Sequence, residues 1–484
     1  MEIMAKTLKE QTVSALFWSF MEKGGQQIFQ FVFAIVLARL LSPGELGLLG
    51  ALAIFIAVAN ILQESGFSSA LIRKQEVSEK DYSTVFYFNI SISIVCYIIL
   101  FFFAPYIADF YKQPILSDLS RFLFLSFVFN GFSVVQYVHL VRQMAFRKNT
   151  RISLASTLIS GGVAVIMAYY GYGVWSLAAQ QVLQTLLRSV FLWISIRWTP
   201  SASFCFDGLK SMTGYSSKLL LNSLFNQVAV NISSIVIGKK FSMSDLGNYN
   251  QATKLGNLPQ GMIASSLQSV AFPLLSKLGD DIDAKRKVFR KIVRVVCFLC
   301  FPIAVFTIIS AESIVLVAFK EKWIGVVPIL RLLVIGSSVL PLFYLLSSLL
   351  QSVGKSGMLL SVELFRNILT LLVIIYTVRF GVNGVVLGTS CIAILSFLVA
   401  YYIAGRCIKY SMWEVMKDIL PYGFIAIITF CPTYFLGSVI SNNLILLLTQ
   451  LIVGGCAYLI ILKLLGSKVL DEMMQIARRK KTIR

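Results

Sequence analysis

Negative charge is scarce in this chain. Its 484 residues hold 22 Asp and Glu against 43 Lys and Arg, for a net charge of +21. Charge of either sign is thin: 13% of residues are charged and 57% are hydrophobic, with a mean hydropathy of +0.80. A soluble domain carries about 25% charged residues, so the composition excludes a soluble globular protein and implies an integral membrane protein. Such an excess would suggest nucleic acid in a soluble chain. Here the placement of the charge matters more than its sum, and no nucleic-acid partner is expected. Histidine occurs once, as His139, and is expected at a membrane interface. Walker, GxGxxG, GxSxG and HExxH motifs are missing, which argues against ATP-driven pumping and motif-based hydrolysis. Cysteine is sparse and scattered. Cys297 and Cys300 have CxxC spacing, but they lie in an apolar segment without a second pair or a nearby His. A metal site needs four ligands, or three and water, so these thiols are read as packed core. No metal, cofactor or disulfide framework is expected. No apolar run near residue 1 ends in a small-residue cleavage site, so no removable signal peptide is expected.

Long apolar runs fill the space that charge leaves. Stretches of roughly 20 residues, the length a bilayer requires of a helix, recur along the chain. They lie near 13–38, 46–63, 82–108, 119–141, 152–171, 174–196, 212–238, 246–275, 292–318, 324–350, 357–379, 383–405, 419–440 and 444–465, about fourteen in all. Lys and Arg set the orientation, because cytoplasmic connections accumulate them. The termini and every second connection hold 30 of the 43, the intervening connections hold 7, and 6 lie inside spans. The bias survives only with an even span count, and it puts both termini in the cytoplasm.

One stretch occurs twice, 200 residues apart. Leu37-Ala38-Arg39-Leu40-Leu41-Ser42-Pro43-Gly44-Glu45-Leu46-Gly47 aligns without gaps on Ile237-Gly238-Lys239-Lys240-Phe241-Ser242-Met243-Ser244-Asp245-Leu246-Gly247. Gln27 lies over Gln227, and Ile35-Val36 over Ile235-Val236. Shared charge class, turn residues and apolar pattern argue for a duplicated unit. Because the first and seventh spans run the same way, the repeat is parallel, relating spans 1–6 to spans 7–12. Two-halved transporters of this kind place substrate near the midplane. The expected organisation is a six-helix bundle over 1–198, a second over 199–405, and two extra helices with a basic tail over 406–484. No connection is long enough for a soluble domain.

Polar groups inside spans are costly in lipid and mark cavities or partners. Span 1 carries Glu22, Lys23, Gln26 and Gln27; span 6 carries Gln180, Gln184 and Arg188 at helical spacing. Span 7 carries Lys218, Asn222 and Asn226. Span 8 carries Asn250, Lys254 and Asn257, then Pro259 and Gly261. Arg331 lies in span 10, and Glu363 and Arg366 in span 11. Amide stripes also serve as helix–helix glue, and Glu363 and Arg366 can neutralise each other. Arg188 and Lys254 have no acid one turn away. At 1.5 Å per residue they lie roughly 21 and 12 Å below the outer edge. Unpaired cations in a cavity suit an anionic substrate.

Leu37–Pro43 with Gly47 resembles the first-helix signature of bacterial polysaccharide transporters of the O-antigen flippase (Wzx) type. Glu64-Ser65-Gly66-Phe67-Ser68-Ser69-Ala70-Leu71-Ile72 does so too. Ile237-Gly238-Lys239, Leu246-Gly247-Asn248-Tyr249-Asn250-Gln251-Ala252 and Phe272-Pro273-Leu274-Leu275-Ser276 are similar to the same family, and the likeness is nearest to its colanic-acid branch. It covers most of residues 10–400. It implies an all-α polytopic fold of the multidrug/oligosaccharidyl-lipid/polysaccharide exporter superfamily, two six-helix bundles forming a V. It also implies movement of an undecaprenyl-pyrophosphate-linked oligosaccharide across the bacterial inner membrane, with other polysaccharide assembly proteins as partners and no enzymatic step. The signature shapes turns and packing and does not name binding residues. From the polar stripes, Arg188, Lys254, Arg331 and Arg366 are the candidates for the anionic headgroup. Gln26, Gln27, Gln184, Asn222, Asn226, Asn250 and Asn257 are candidates for sugar hydroxyls, and Glu22 and Glu363 for ion coupling. A drug-cation exporter of the same superfamily would favour an acidic cavity. A membrane-embedded polymerase or ligase would want a large outer loop.

The orientation is tested with an impermeant thiol reagent on intact cells. Single cysteines replacing Lys112, Lys240 and Lys322 in a Cys-free background should label from outside, and those replacing Arg147, Lys285 and Lys480 should not. Outside labelling on the second set would refute it.

Overall fold

A membrane offers the backbone no water, so each peptide group must bond within its own segment or a closed sheet. The chain takes the helical solution throughout its described residues. The computed structural model describes residues 2–64, 71–72, 74, 77–201, 206–279, 281–472 and 475, with side chains left aside at 2–16, 19–20, 64, 206–222, 269 and 356. Regular structure among them is helical: α1 (Glu2–Leu40), α2 (Pro43–Glu64), α3 (Glu79–Tyr111), α4 (Ile115–Arg142), α5 (Phe146–Tyr169), α6 (Val174–Ser195), α7 (Phe206–Lys240), α8 (Met243–Lys277), α9 (Ile282–Ile309), α10 (Ala311–Phe319), α11 (Val326–Ser337), α12 (Leu340–Ser352), α13 (Ser356–Thr377), α14 (Gly381–Cys407), α15 (Met412–Phe430) and α16 (Asn443–Leu464). All fourteen expected spans fall on helix. The ninth is broken at Ser310, between α9 and α10, and the tenth between α11 and α12.

Among the described residues, nine stretches are long and apolar enough to cross a membrane. One of them, Gly357–Cys407, contains both α13 and α14. Outside the nine lie the short α10 and four long helices, α1, α6, α7 and α8. The four long ones carry amide-bearing stripes, so they are too polar to face lipid on all sides. The chain is a multi-pass, all-α membrane protein.

The chain divides into two compact units, Met1–Gly247 and Asn248–Arg484. In the first, α3 packs along α4, α5 along α6, α1 on α5, and α2 on α7. Small residues let the helices approach: a Cβ on Gly161 would meet the Phe33 ring at 2.3 Å, and one on Gly131 would meet Ser93 Oγ at 2.4 Å. In the second unit, α9 packs on α15, α13 on α14, and α15 on α16. Its core includes Phe289, Cys297, Leu345, Leu349 and Val415.

The duplicated stretch folds alike in both copies. Ser42 Oγ accepts from the Glu45 amide at 3.3 Å, while Glu45 Oε2 accepts from the Ser42 amide at 2.6 Å. Ser242 and Asp245 make the same exchange at 3.1 and 3.2 Å. Each is a capping box that stops one helix and starts the next across a tight turn. The two turns also meet each other within the first unit. A Cβ on Gly47 would stand 1.8 Å from the Met243 carbonyl oxygen, and one on Gly247 1.9 Å from that of Pro43. Glycine at these two positions is therefore demanded by a backbone-on-backbone crossing at the starts of α2 and α8.

The connection expected over 276–294 is mostly helix: α9 begins at Ile282, capped by Asp281, whose side chain accepts from the Ala284 amide at 2.9 Å. Lys285 is buried there, so Lys287, which is exposed, is the better cysteine position for topology.

Gly47→Ala and Gly247→Ala should each destabilise by about 1–3 kcal/mol through overpacking, read as a lower thermal unfolding midpoint in detergent. Gly44→Ala is the control, since its Cβ would meet nothing closer than Ser42 Oγ at 4.0 Å. Equal midpoints for Gly47→Ala and Gly44→Ala would rule out the crossing.

Candidate functional site

The densest charge in the second unit is a ladder between α9 and α15. Arg286, Arg290 and Arg294 recur every fourth residue and share one helix face; Glu414 and Asp418 do the same on α15. Arg286 Nη2 donates to both Glu414 oxygens at 2.5 and 2.6 Å. Arg290 bridges the rungs, with Nη1 3.1 Å from Glu414 Oε1 and Nε 2.7 Å from Asp418 Oδ2. Arg294 donates twice to Asp418 Oδ1, at 2.8 and 2.6 Å. The Tyr410 hydroxyl adds a bond to Asp418 Oδ2 at 2.5 Å. Burial, and then this carboxylate, hold the Tyr410 proton well above the usual phenol range. The Asp418 side chain is only 3% exposed, so its charge depends on these donors. Fork-shaped guanidinium groups on carboxylates also fix angle and register. Sequence reading treated these cations as topology markers in connections. The four-residue spacing on both sides was the missed signal.

The first unit has a second polar cluster that sequence reading passed over. Gln63 Nε2 donates to Ser93 Oγ at 2.9 Å and to the Phe127 carbonyl at 2.7 Å, and Gln63 Oε1 accepts from Asn130 at 2.8 Å. It joins α2, α3 and α4 and satisfies itself, as interhelical amides do in lipid. His139 stacks on Tyr82 at 4.0 Å and leans on Trp198 at 5.4 Å.

The sequence candidates separate into engaged and disengaged groups. Glu22 is engaged: Asn149 Nδ2 donates to both its oxygens at 2.8 Å, and Ser153 Oγ to Oε1 at 2.9 Å. Gln184 Nε2 donates to Thr157 Oγ1 at 3.1 Å. Arg331 Nε donates to the Ile308 carbonyl at 3.3 Å, near the end of α9. Arg366 lies over the Phe343 ring at 5.0 Å, and no ion pair joins it to Glu363 among the described residues. Gln26 and Asn257 are half-buried, as is Asn250. Gln27 and Asn226 are exposed, and the Asn222 side chain lies outside the described residues.

Arg188 and Lys254 are the disengaged cations. Arg188 stands 5.4 Å from the Tyr137 ring centre, and its Nε is buried without a hydrogen-bond partner. Lys254 is exposed on α8 and has no hydrogen bond or ion pair among the described residues. A guanidinium with an unused donor is equipped to bind an anion.

Residues 36–328 match the family described as "Polysaccharide biosynthesis protein". The chain is 25% identical to the succinoglycan biosynthesis transport protein ExoT of Rhizobium meliloti, over 99% of this chain and 98% of that one. It is 24% identical to the lipopolysaccharide biosynthesis protein WzxC of Escherichia coli, over 90% of each. Among solved structures, the lipid II flippase MurJ in an inward closed conformation superposes with a TM-score of 0.74 at 16% identity, covering 97% of this chain and all of that one. That last likeness establishes a shared fold.

Asp418→Asn should leave Arg290 and Arg294 without their anion and cost about 3 kcal/mol or more, seen as loss of folded protein in the membrane. Adding Arg294→Gln should recover part of that loss, because one stranded cation is removed with it. No recovery in the double variant would show that the ladder does not couple these residues.

Proposed function

The chain belongs to the polysaccharide biosynthesis protein family, and on that premise we propose that it is a flippase. It carries a lipid-linked oligosaccharide across the bacterial inner membrane for surface polysaccharide assembly. The observation that carries the reading is the contrast between cations. The three arginines of the α9 ladder are spent on carboxylates, whereas Arg188 Nε is buried without a partner and Lys254 makes no ion pair among the described residues. A pyrophosphate crossing a low-dielectric interior needs fixed positive charge within reach.

On this reading the substrate is an undecaprenyl-pyrophosphate-linked repeat unit, moved by alternating access of two halves, 1–198 and 199–405, with both termini in the cytoplasm. Arg188 and Lys254 hold the pyrophosphate. Arg331 and Arg366 are secondary, since a carbonyl and a ring already engage them. Gln26, Gln27, Gln184, Asn222, Asn226, Asn250 and Asn257 offer amides to sugar hydroxyls. Glu22, and more weakly Glu363, would couple an ion. Glu22 accepts from Asn149 and Ser153, which fix its carboxyl group in place for a coupling cation or proton to reach. The reading includes no covalent chemistry, and other assembly proteins take up the translocated unit.

Hydrogen bonds to charged groups contribute about 1.5–3 kcal/mol, so losing one should reduce transport roughly 10- to 100-fold. Arg188→Ala and Lys254→Ala should insert normally and abolish surface polysaccharide in a complementation assay. Arg188→Lys should retain more activity than Arg188→Ala, keeping the charge without the fork. Normal export by the double alanine variant, at wild-type protein level, would reject the site.

A further inference from the structure

Helix α8 changes character along its length. Its first half carries Asn250, Lys254 and Asn257. Past Pro259, its second half forms one wall of an apolar groove of about 710 Å³, and α9 forms the other. Met262, Leu267, Val270 and Leu274 face Ile292, Val295 and Leu299 across it, and Lys291 is the one charged residue in its lining. Just beyond Met262 and Leu299, Gln260 Nε2 reaches the Cys300 carbonyl at 3.5 Å. Lys291 stands toward the opposite end of the groove. Its Nζ lies 2.6 Å from Glu472, but the two side chains are 61% and 49% exposed. An ion pair that open is weak and readily exchanged for a stronger anion.

We propose that this groove holds the hydrocarbon tail of the lipid-linked substrate, with Lys291 leaving Glu472 to meet the phosphate. The proposal rests on the reading above. An apolar trough ending at a single exchangeable cation matches an amphiphile with one chain and an anionic head. A phospholipid brings two chains, and this trough is bounded by two helices alone. The position also suits transport. Lys254 and Met262 are eight residues apart on one helix, about 12 Å. A headgroup moving to the polar half of α8 keeps its tail against the apolar half. Exposed Val270 and Met262, at 61% and 65%, would be covered by it.

The test uses the full chain in phosphatidylcholine nanodiscs and farnesyl phosphate carrying a diazirine on its distal isoprene. Photolabelling should map to 262–274 and 288–299. Val270→Trp and Val295→Trp fill the groove and should lower labelling about tenfold or more, with unchanged size-exclusion profiles. Lys291→Gln should lower labelling by the phosphate probe and leave that by the matching farnesol probe unchanged. Adducts elsewhere, equal competition by phosphatidylglycerol, or a disulfide-linked dimer formed by Val270→Cys would each overturn the proposal. Flipping in proteoliposomes is scored separately. Labelling without flipping defeats the transport reading, and flipping without labelling defeats the groove.

Discussion

Hydrocarbon supplies no hydrogen bonds, and most buried polar groups among the described residues answer to that constraint. The backbone answers with helices. Gln63 answers with Ser93, Phe127 and Asn130. Glu22 answers with an amide and a hydroxyl, and the arginines of α9 with two carboxylates. Where so many groups are satisfied, those that are not stand out. Arg188 Nε is one of the buried polar atoms left without a hydrogen-bond partner among the described residues and the one that belongs to a guanidinium. Leaving it so is costly, and under the proposed function a ligand would meet that cost. The proposed site is therefore argued from the pairing of other polar groups as much as from the candidates themselves.

Much of the fold is legible in the chain because its physics is one-dimensional. Length and hydropathy locate spans, and all fourteen expected stretches fall on helix. The repeat is legible because Ser42 with Glu45, and Ser242 with Asp245, are local pairs three residues apart. What escapes are pairings across large sequence separations. Arg290 and Glu414 are 124 residues apart, and Gln63 and Asn130 are 67 apart. Each partner alone looks like a marker of a loop or a helix end. Proximity misleads in the other direction: Glu363 and Arg366 are adjacent on a helix face, yet no ion pair joins them among the described residues, and Arg366 sits over Phe343. The candidate site was legible as residue types and spacing, but not as a sorting into engaged and disengaged groups.

The duplication gains meaning from the contact between its copies. Two equivalent turns, each with its own capping box, cross at Gly47 and Gly247 with no room for side chains. Such a crossing lets two helix starts approach at backbone distance. It makes the duplicated stretch more than a record of ancestry, since each copy constrains what the other can carry.

The α9–α15 ladder has a consequence for how the protein is made. Its cations are synthesised long before its anions. With 124 residues between Arg290 and Glu414, and synthesis at about 5–20 residues per second, the arginines wait roughly 6–25 s for their partners. In that interval water must solvate them and anionic lipid headgroups must balance their charge. Arrival of α15 then exchanges water and headgroups for Glu414 and Asp418. Helix α15 thus acts as a late clasp on α9.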